Sequence, residues 1–263
     1  PSVDHIQFNE ETLWSGQPHD YAHTGAYKYL GQIRELLWQN RQKEAEDLAM
    51  KEFMGVPLRQ QKYQPFGDLW ISFPGHLKVS GYRRELDLAL ALCRTTYTIG
   101  DTTFTREYLA SYPGNVLAVN LTADRKNALT FDIMLSSPHE RTSVVATGDG
   151  FMTMNVKVKD GALNGTAMLK LITKGGKVTA LENRLHVDKA EKVMLQLVAA
   201  TNFINPKNVS GDPDALCVKH LAGLGNKSFE KLRAEHIADY QKYFNRFTID
   251  FGPSGREDLP TDA

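Results

Sequence analysis

The sequence predicts a mainly β protein: a large antiparallel β-sandwich, a super-sandwich, with flanking helices and a C-terminal helical linker. Three observations carry this. After Tyr63, for over a hundred residues, short runs are punctuated by Gly, Pro, Asn and Asp at intervals of roughly ten. Several of those runs alternate apolar and polar side chains with period two. Helical spacing is confined to one stretch ahead of the β region and one behind it. With 263 residues, 41% of them hydrophobic and 24% charged, the chain can bury a sizeable core, and its length accommodates one large all-β domain or two smaller ones.

The segment FNEETLWSGQPHDY, Phe8 to Tyr21, sustains neither period and reads as a shaped loop. From Tyr29 to Phe53 the apolar positions Leu30, Ile33 and Leu37, then Ala45, Leu48, Ala49 and Phe53, recur every three or four residues. They predict one or two amphipathic helices within about 26–54, stopped by Gly55 and Pro57. In the β region, Leu129, Phe131, Ile133 and Leu135 point one way, and Met152, Met154, Val156 and Val158 do the same in a second half-buried strand. Gly100-Asp101 lies between two such runs and predicts a tight hairpin turn, and Lys174-Gly175-Gly176-Lys177 predicts another. Val193 to Ala200 is apolar on both faces, as expected of a strand in the middle of stacked sheets. Phe229, Leu232, His236, Ile237, Tyr240, Tyr243, Phe244 and Phe247 return to helical spacing. That stripe either docks on this chain's own sandwich or forms a connector whose apolar face also meets a following domain. The closing GPSGREDLPTDA is Pro-, Gly- and charge-rich, as linkers are. The expected division is a sandwich domain over 1–225 and a helical linker over 226–263.

Composition excludes several classes. Lys plus Arg and Asp plus Glu both number 31, so the formal net charge is zero and the basic footprint of a nucleic-acid or polybasic membrane binder is missing. No apolar run approaches the roughly 18–20 residues of a membrane helix. Pro1 to Glu11 has no charged region followed by an apolar one, and the sequence itself leaves the compartment open. Cys93 and Cys217 are far apart, belong to no CxxC motif, and read as small buried hydrophobes. Sequons begin at Asn120, Asn164, Asn208 and Asn226 and matter only in a eukaryotic secretory pathway.

No catalytic constellation emerges from spacing. Glu10, Glu11, Asp20, Asp68, Glu107, Asp132 and Asp149 could supply a glycosidase pair, yet none stands in a spacing that singles out two. His19 and His23 are four apart, but Pro18 and Gly25 argue against the helix that would align them on a metal. Ser15 lacks the frame of a nucleophile elbow, and Gly175-Gly176 does not precede a helix. What remains is an aromatic- and amide-rich set: Asn9, Glu10, Trp14, Gln17, His19 and Tyr21, then Tyr63, Gln64, Phe66, Asp68 and Trp70. Aromatic faces beside amides and carboxylates hold sugar rings. The plainer alternative is that Trp14, Phe66 and Trp70 anchor loops in the core.

Particular strings go further. FNEETLWSGQP, YQPFGDL, YRRELDL with TREYLASYPGNVLAV, NVSGDP, EHIADYQKYFNRFTIDFG and the closing LPTD resemble, in this order, the N-terminal region of glycoside hydrolase family 95, the inverting α-L-fucosidases and α-L-galactosidases. The resemblance implies the β-sandwich, then a helical linker, then a catalytic (α/α)6 barrel that holds the general acid and the water-activating groups. It implies a non-catalytic domain of an exo-acting enzyme that removes terminal α-L-fucose from glycans by single displacement, with no catalytic residue in this chain. No metal and no cofactor is assigned to this chain, and the partners the resemblance implies are the barrel of the same polypeptide and, for the parent enzyme, a fucosylated oligosaccharide. Residues placed by it near substrate or at the domain interface are Asn9, Glu10 and Trp14, with Gln64 and Asp68 behind them. Family habit points to a secreted or periplasmic bacterial protein. Members usually carry a strand ahead of the NEETLWSG string where here only Pro1 to Gln7 stands, and without it a sheet edge or core slot is expected to lie open. The alternative function is a free-standing carbohydrate-binding β-sandwich module.

Overall fold

The computed structural model describes residues 2–256 and 259–260; Thr261 and Asp262 of the LPTD string lie outside the described residues. The chain begins with β1 (Val3–Phe8), passes through a long loop and a 3-10 turn (Ala26–Tyr29), and forms α1 (Leu30–Trp38) and α2 (Gln42–Glu52). Next come β2 (Gly67–Ser72), β3 (Ser80–Asp87), β4 (Leu92–Ile99), β5 (Thr102–Ser111) and β6 (Val116–Ala123). Then follow β7 (Leu129–Ser136), β8 (Arg141–Thr147), β9 (Phe151–Lys157) and β10 (Asn164–Lys174). The strands end with β11 (Lys177–Leu181), β12 (Arg184–Ala190) and β13 (Lys192–Thr201), and the chain turns helical in α3 (Pro213–Leu224) and α4 (Phe229–Phe244).

The strands make two antiparallel sheets, a five-stranded one ordered β1-β2-β7-β12-β11 and an eight-stranded one ordered β3-β4-β5-β6-β13-β10-β9-β8. Period two does the work foreseen for it. Leu69, Ile71, Phe131 and Ile133 of the small sheet are fully buried against Met152, Met154, Leu169, Val193 and Leu195 of the large one. Each such side chain contributes about 1.5–3 kcal/mol of transfer free energy. The Gly100-Asp101 hairpin is present, with Ile99 paired to Thr102.

Three expectations are refined. Gly175-Gly176 is not a hairpin: β10 pairs with β9 and β13, whereas β11 pairs with β12 in the other sheet, so the chain crosses between sheets here. Gly176 has φ +72, and a Cβ on it would lie 2.5 Å from the Asp188 carbonyl oxygen and 2.6 Å from the Ala190 nitrogen. The crossover therefore needs glycine for space as well as for its backbone angle. Apart from the fully buried Gln196, β13 is apolar on both faces because one meets the opposing sheet and the other meets helices. Met194, Val198 and Ala200 on its other face form a second core with Cys217, Leu224, Phe229 and Leu232 of α3 and α4. Lastly, the C-terminal stripe is divided. Phe229, Leu232 and His236 are buried, and the chain meets α4 with the carbonyls of Leu88, Ala89 and Ala91, which accept from Tyr240 Oη, Gln241 Nε2 and His236 Nε2 at 2.9, 3.1 and 3.0 Å. Tyr243 and Phe247 beyond them are exposed, Phe247 at 74%.

Caps set the helix starts. Asp212 accepts the Ala215 amide at 3.0 Å ahead of Pro213 at the first position of α3, and Ser228 accepts the Lys231 amide at 3.3 Å ahead of α4. α1 and α2 stand differently: Ala45 is their one buried residue, and Trp38 is exposed.

An ionic cluster sits inside the sandwich near the start of the chain. The Arg106 guanidinium on β5, 2% exposed, donates to Asp4 on β1 at 2.7 Å and to the Tyr97 hydroxyl, and Tyr108 also donates to Asp4. The guanidinium carbon lies 3.7 Å from the Phe73 ring centroid. His76 hydrogen-bonds the Tyr97 hydroxyl at 2.7 Å, and burial, with the nearby Arg106 charge second, pushes its pKa down to about 4. β1 is an outer strand of the small sheet, and a groove of about 610 Å³ runs beside it, lined on the far side by Tyr82, Arg84, Leu86 and Cys93. Residues 3–8, where the sequence led us to expect a missing strand, thus form one, paired with β2 along its whole length.

Candidate functional site

The loop after β1 carries most of the sequence-nominated residues, and it is held on three sides. Its own turn is closed by Glu10, whose carboxylate accepts the Thr12 amide at 2.8 Å and the Thr12 hydroxyl at 2.6 Å. Burial raises the pKa of that carboxyl above the ordinary range against the lowering effect of the two Thr12 bonds. The Thr12 hydroxyl reaches the Thr201 hydroxyl at the end of β13, and Leu13 is fully buried as the loop's anchor.

The second attachment is to the segment before β2. Ser15 N donates to Lys62 O at 2.8 Å, Gln64 N donates to Leu13 O at 2.9 Å, and Trp14 and Tyr63 are bridged, their ring centroids 5.2 Å apart. The Trp14 indole N–H is taken up by Glu11 O at 2.9 Å. The third is to the turn before β10, where Gly16 N donates to Asp160 O at 2.7 Å and Ala162 N to Gly16 O at 2.8 Å. At that contact Gly16 has φ +84, and a Cβ on Gly161 would lie 2.6 Å from Gly16 O, so two backbones touch where no side chain fits.

His19 and His23 secure the end of the loop. Their rings donate to Val56 O at 2.7 Å and to Met54 O at 3.0 Å, which gives the four-residue spacing a role in pinning the loop to the segment after α2. Among the described residues no cluster of three or more His, Cys, Asp or Glu could hold a metal ion.

The five nominated residues fall in four places. Asn9 and Glu10 line a cleft of about 730 Å³ with Tyr112, Asn115 and His220. Tyr112 is 85% exposed at its rim. His220 Nδ1 is buried without a partner among the described residues, and burial lowers the pKa of its ring. Trp14 lines a different groove, of about 760 Å³, on the other side of the loop together with Gln17, His19 and Tyr21. Gln64 turns back on its own segment, its side-chain amide donating to the carbonyls of Lys62 and Tyr63.

Asp68 is elsewhere, on the outer face of the small sheet. His5 Nε2 lies 2.6 Å from its carboxylate, and the His5 ring stacks on Trp70 with centroids 3.8 Å apart. Trp70 donates to Ser136 Oγ at 2.9 Å, so this tryptophan belongs to the sheet surface, while Phe66 is a core anchor stacked on Phe8.

The sequence did not single out Met54, Gln60, Gln61 or Phe203, which complete the wider groove. Phe203 and Val209 are fixed by Asn202, whose amide nitrogen donates to Ala162 O at 3.2 Å and Val209 O at 2.7 Å and whose amide oxygen accepts Asn164 N at 3.0 Å. The NVSGDP string was the signal for this wall. The segment holding Gln60 and Gln61 follows a helix stop and has no periodicity to read.

Comparison with known proteins places this arrangement among relatives. The family model described as "Glycosyl hydrolase family 65, N-terminal domain" matches residues 1–206. The chain is 30% identical to "Alpha-L-fucosidase 2" of Arabidopsis thaliana over all of this chain and 34% of that protein. It is 26% identical to "Probable alpha-fucosidase A" of Aspergillus niger, over 97% of this chain and 34% of that one. With the protein of the same name from Aspergillus oryzae the identity is 24%, over 95% of this chain and 37% of that one. The chain therefore spans about a third of the length of these relatives.

Proposed function

The chain belongs to the family of glycosyl hydrolase family 65 N-terminal domains, and from that premise we propose that it is the non-catalytic β-sandwich of an inverting α-L-fucosidase that removes terminal α-L-fucose from glycans. In this reading residues 1–225 form the supporting domain and 226–263 the helical linker to an (α/α)6 barrel in the same longer polypeptide. The barrel supplies the acid that protonates the leaving oxygen and the base that activates water on the opposite face of the sugar.

The observation that carries the reading is the division of α4. Its first half is sealed against the large sheet, and its apolar stripe continues bare through Tyr243, Phe244 and Phe247, where a following domain would cover it. The cleft holding Asn9, Glu10 and the projecting Tyr112 offers a second contact for that domain.

The acids of this chain support a structural role. Glu10 is held by Thr12, Asp68 by His5, Glu107 by Arg94 at 2.9 Å and Asp132 by His186 at 2.8 Å. Each is committed to a neighbour rather than paired with another carboxylate across a cleft.

The test is release of L-fucose from 2'-fucosyllactose by residues 1–263, beside a longer form extended through the downstream reading frame. Release by the longer form alone is the expected result. Release by residues 1–263 would overturn the proposal, because it would put the chemistry among residues assigned here to support.

A further inference from the structure

The groove that holds Trp14 is uncharged to a degree the rest of the chain is not. None of its eighteen lining residues is Asp, Glu, Lys or Arg, whereas 24% of the chain is. Its volume of about 760 Å³ falls within the roughly 300–1,000 Å³ of small-molecule sites. Its apolar surface comes from Trp14, Met54, Leu58, Phe203 and Val209, and its polar groups are amides, hydroxyls and the His19 imidazole, whose Nε2 is taken up by Val56 O at 2.7 Å.

Those groups are set out in a particular way. Trp14 is 41% exposed yet immobilised, its N–H bonded to Glu11 O and its ring against Tyr63. The side-chain amides of Gln17 and Gln60 make no hydrogen bond to any described residue, and both side chains are exposed. The Tyr21 ring contributes to the wall, its hydroxyl buried behind it without a partner among the described residues.

Ligand chemistry follows by elimination. A charged ligand would surrender its hydration here with no opposite charge to meet it. A purely apolar partner would cover the Gln17 and Gln60 amides and leave them unpaired, which is costly on burial. A neutral polyol with apolar ring faces satisfies both sets, placing C–H faces on Trp14 and Phe203 and hydroxyls on Gln17 and Gln60.

We propose that this groove is a binding site for a neutral oligosaccharide, so that the domain itself holds glycan in addition to its support role. Sugar binding here does not rest on that role. A chain that binds no sugar can still be a support domain, and one that binds sugar can belong to a parent that does not release fucose.

The test is isothermal titration of residues 1–263 with 2'-fucosyllactose, lactose and the anionic 3'-sialyllactose. Saturable binding of the neutral sugars, with Kd near about 1 mM or tighter, and weaker binding of the sialylated one, is expected. Trp14→Ala should weaken binding at least about tenfold. Because that variant also disturbs the contact with Tyr63, Gln60→Ala provides a second reading: its exposed side-chain amide bonds no described residue, so thermal stability holds while affinity falls. No saturable binding of either neutral sugar, tighter binding of 3'-sialyllactose, or unchanged affinity in both variants would overturn the proposal.

Discussion

Replacing Asp4 by Ala tests the ionic cluster that ties the first strand into the sandwich. The variant takes away the carboxylate that Arg106 and Tyr108 both bond, and leaves a guanidinium that is 2% exposed. Breaking a buried pair by removing one partner costs about 3–5 kcal/mol. Two features place this case at the lower end. The guanidinium keeps the Tyr97 hydroxyl and the Phe73 and Tyr97 ring faces, and Asp4 is 18% exposed where the groove beside β1 gives water an approach. The expected loss is about 3 kcal/mol, a fall in Tm of about 6–12 °C for a domain of this size. Urea unfolding at pH 7 measures it, with an unchanged m-value showing that the same surface is exposed. The control is Asp101→Ala, which breaks the exposed 3.2 Å pair with Arg125 and should cost under about 0.5 kcal/mol. Combining Asp4→Ala with Arg106→Met should recover much of the loss, since it removes the stranded charge as well. If Asp4→Ala proves no more damaging than Asp101→Ala, the cluster does not hold β1 and the reasoning is wrong.

Two further outcomes follow from the fold. His76 is held neutral in the folded state to about pH 4, whereas in the unfolded chain it titrates at the ordinary imidazole value of 6.5. Below that value the unfolded state binds the extra proton, so its contribution is flat above pH 6.5 and declines as pH falls toward 4, by at most about 3 kcal/mol. His76→Asn should flatten that limb of the urea midpoint against pH, and an unaltered slope would exclude His76 as its source. Gly100 and Gly176 both have positive φ, but only Gly176 has backbone atoms where a Cβ would go. Gly100→Ala should cost about 1 kcal/mol and Gly176→Ala at least about 2, read by thermal melts; equal costs would mean that the crossover yields freely.

The parts of this fold that are legible in the sequence are those set by local periodicity. Leu129 to Leu135 and Met152 to Val158 declare their inward faces because a strand buried on one side can be written in no other pattern. The family was likewise readable from ordered strings, and relatives named as α-fucosidases agree with it. Gly175-Gly176 misleads because a turn that reverses within one sheet and a turn that passes to the next use the same residues. The difference lies in which strand waits beyond. The site is harder for a related reason. Trp14 and Trp70 look equivalent in the sequence, yet one lines a groove and the other is stacked under His5 on a sheet face, and contacts 46 to 189 residues distant decide which. Gln60 and Tyr21 gain their meaning only once the loop is stitched to residues 62–64 and 160–162.

The order of the large sheet has a consequence for how the chain is made. Its centre is β13, the last strand to be synthesised, which lies between β6 and β10. Until residue 201 has left the ribosome, the sheet exists as two unjoined halves, β3 to β6 and β8 to β10, each presenting a bare hydrogen-bonding edge. A nascent chain halted before β13 has all the strands but that one and cannot close them into a sheet. The hazard in producing this domain is therefore concentrated in a narrow interval of translation, when two sticky edges wait for the same ten-residue strand.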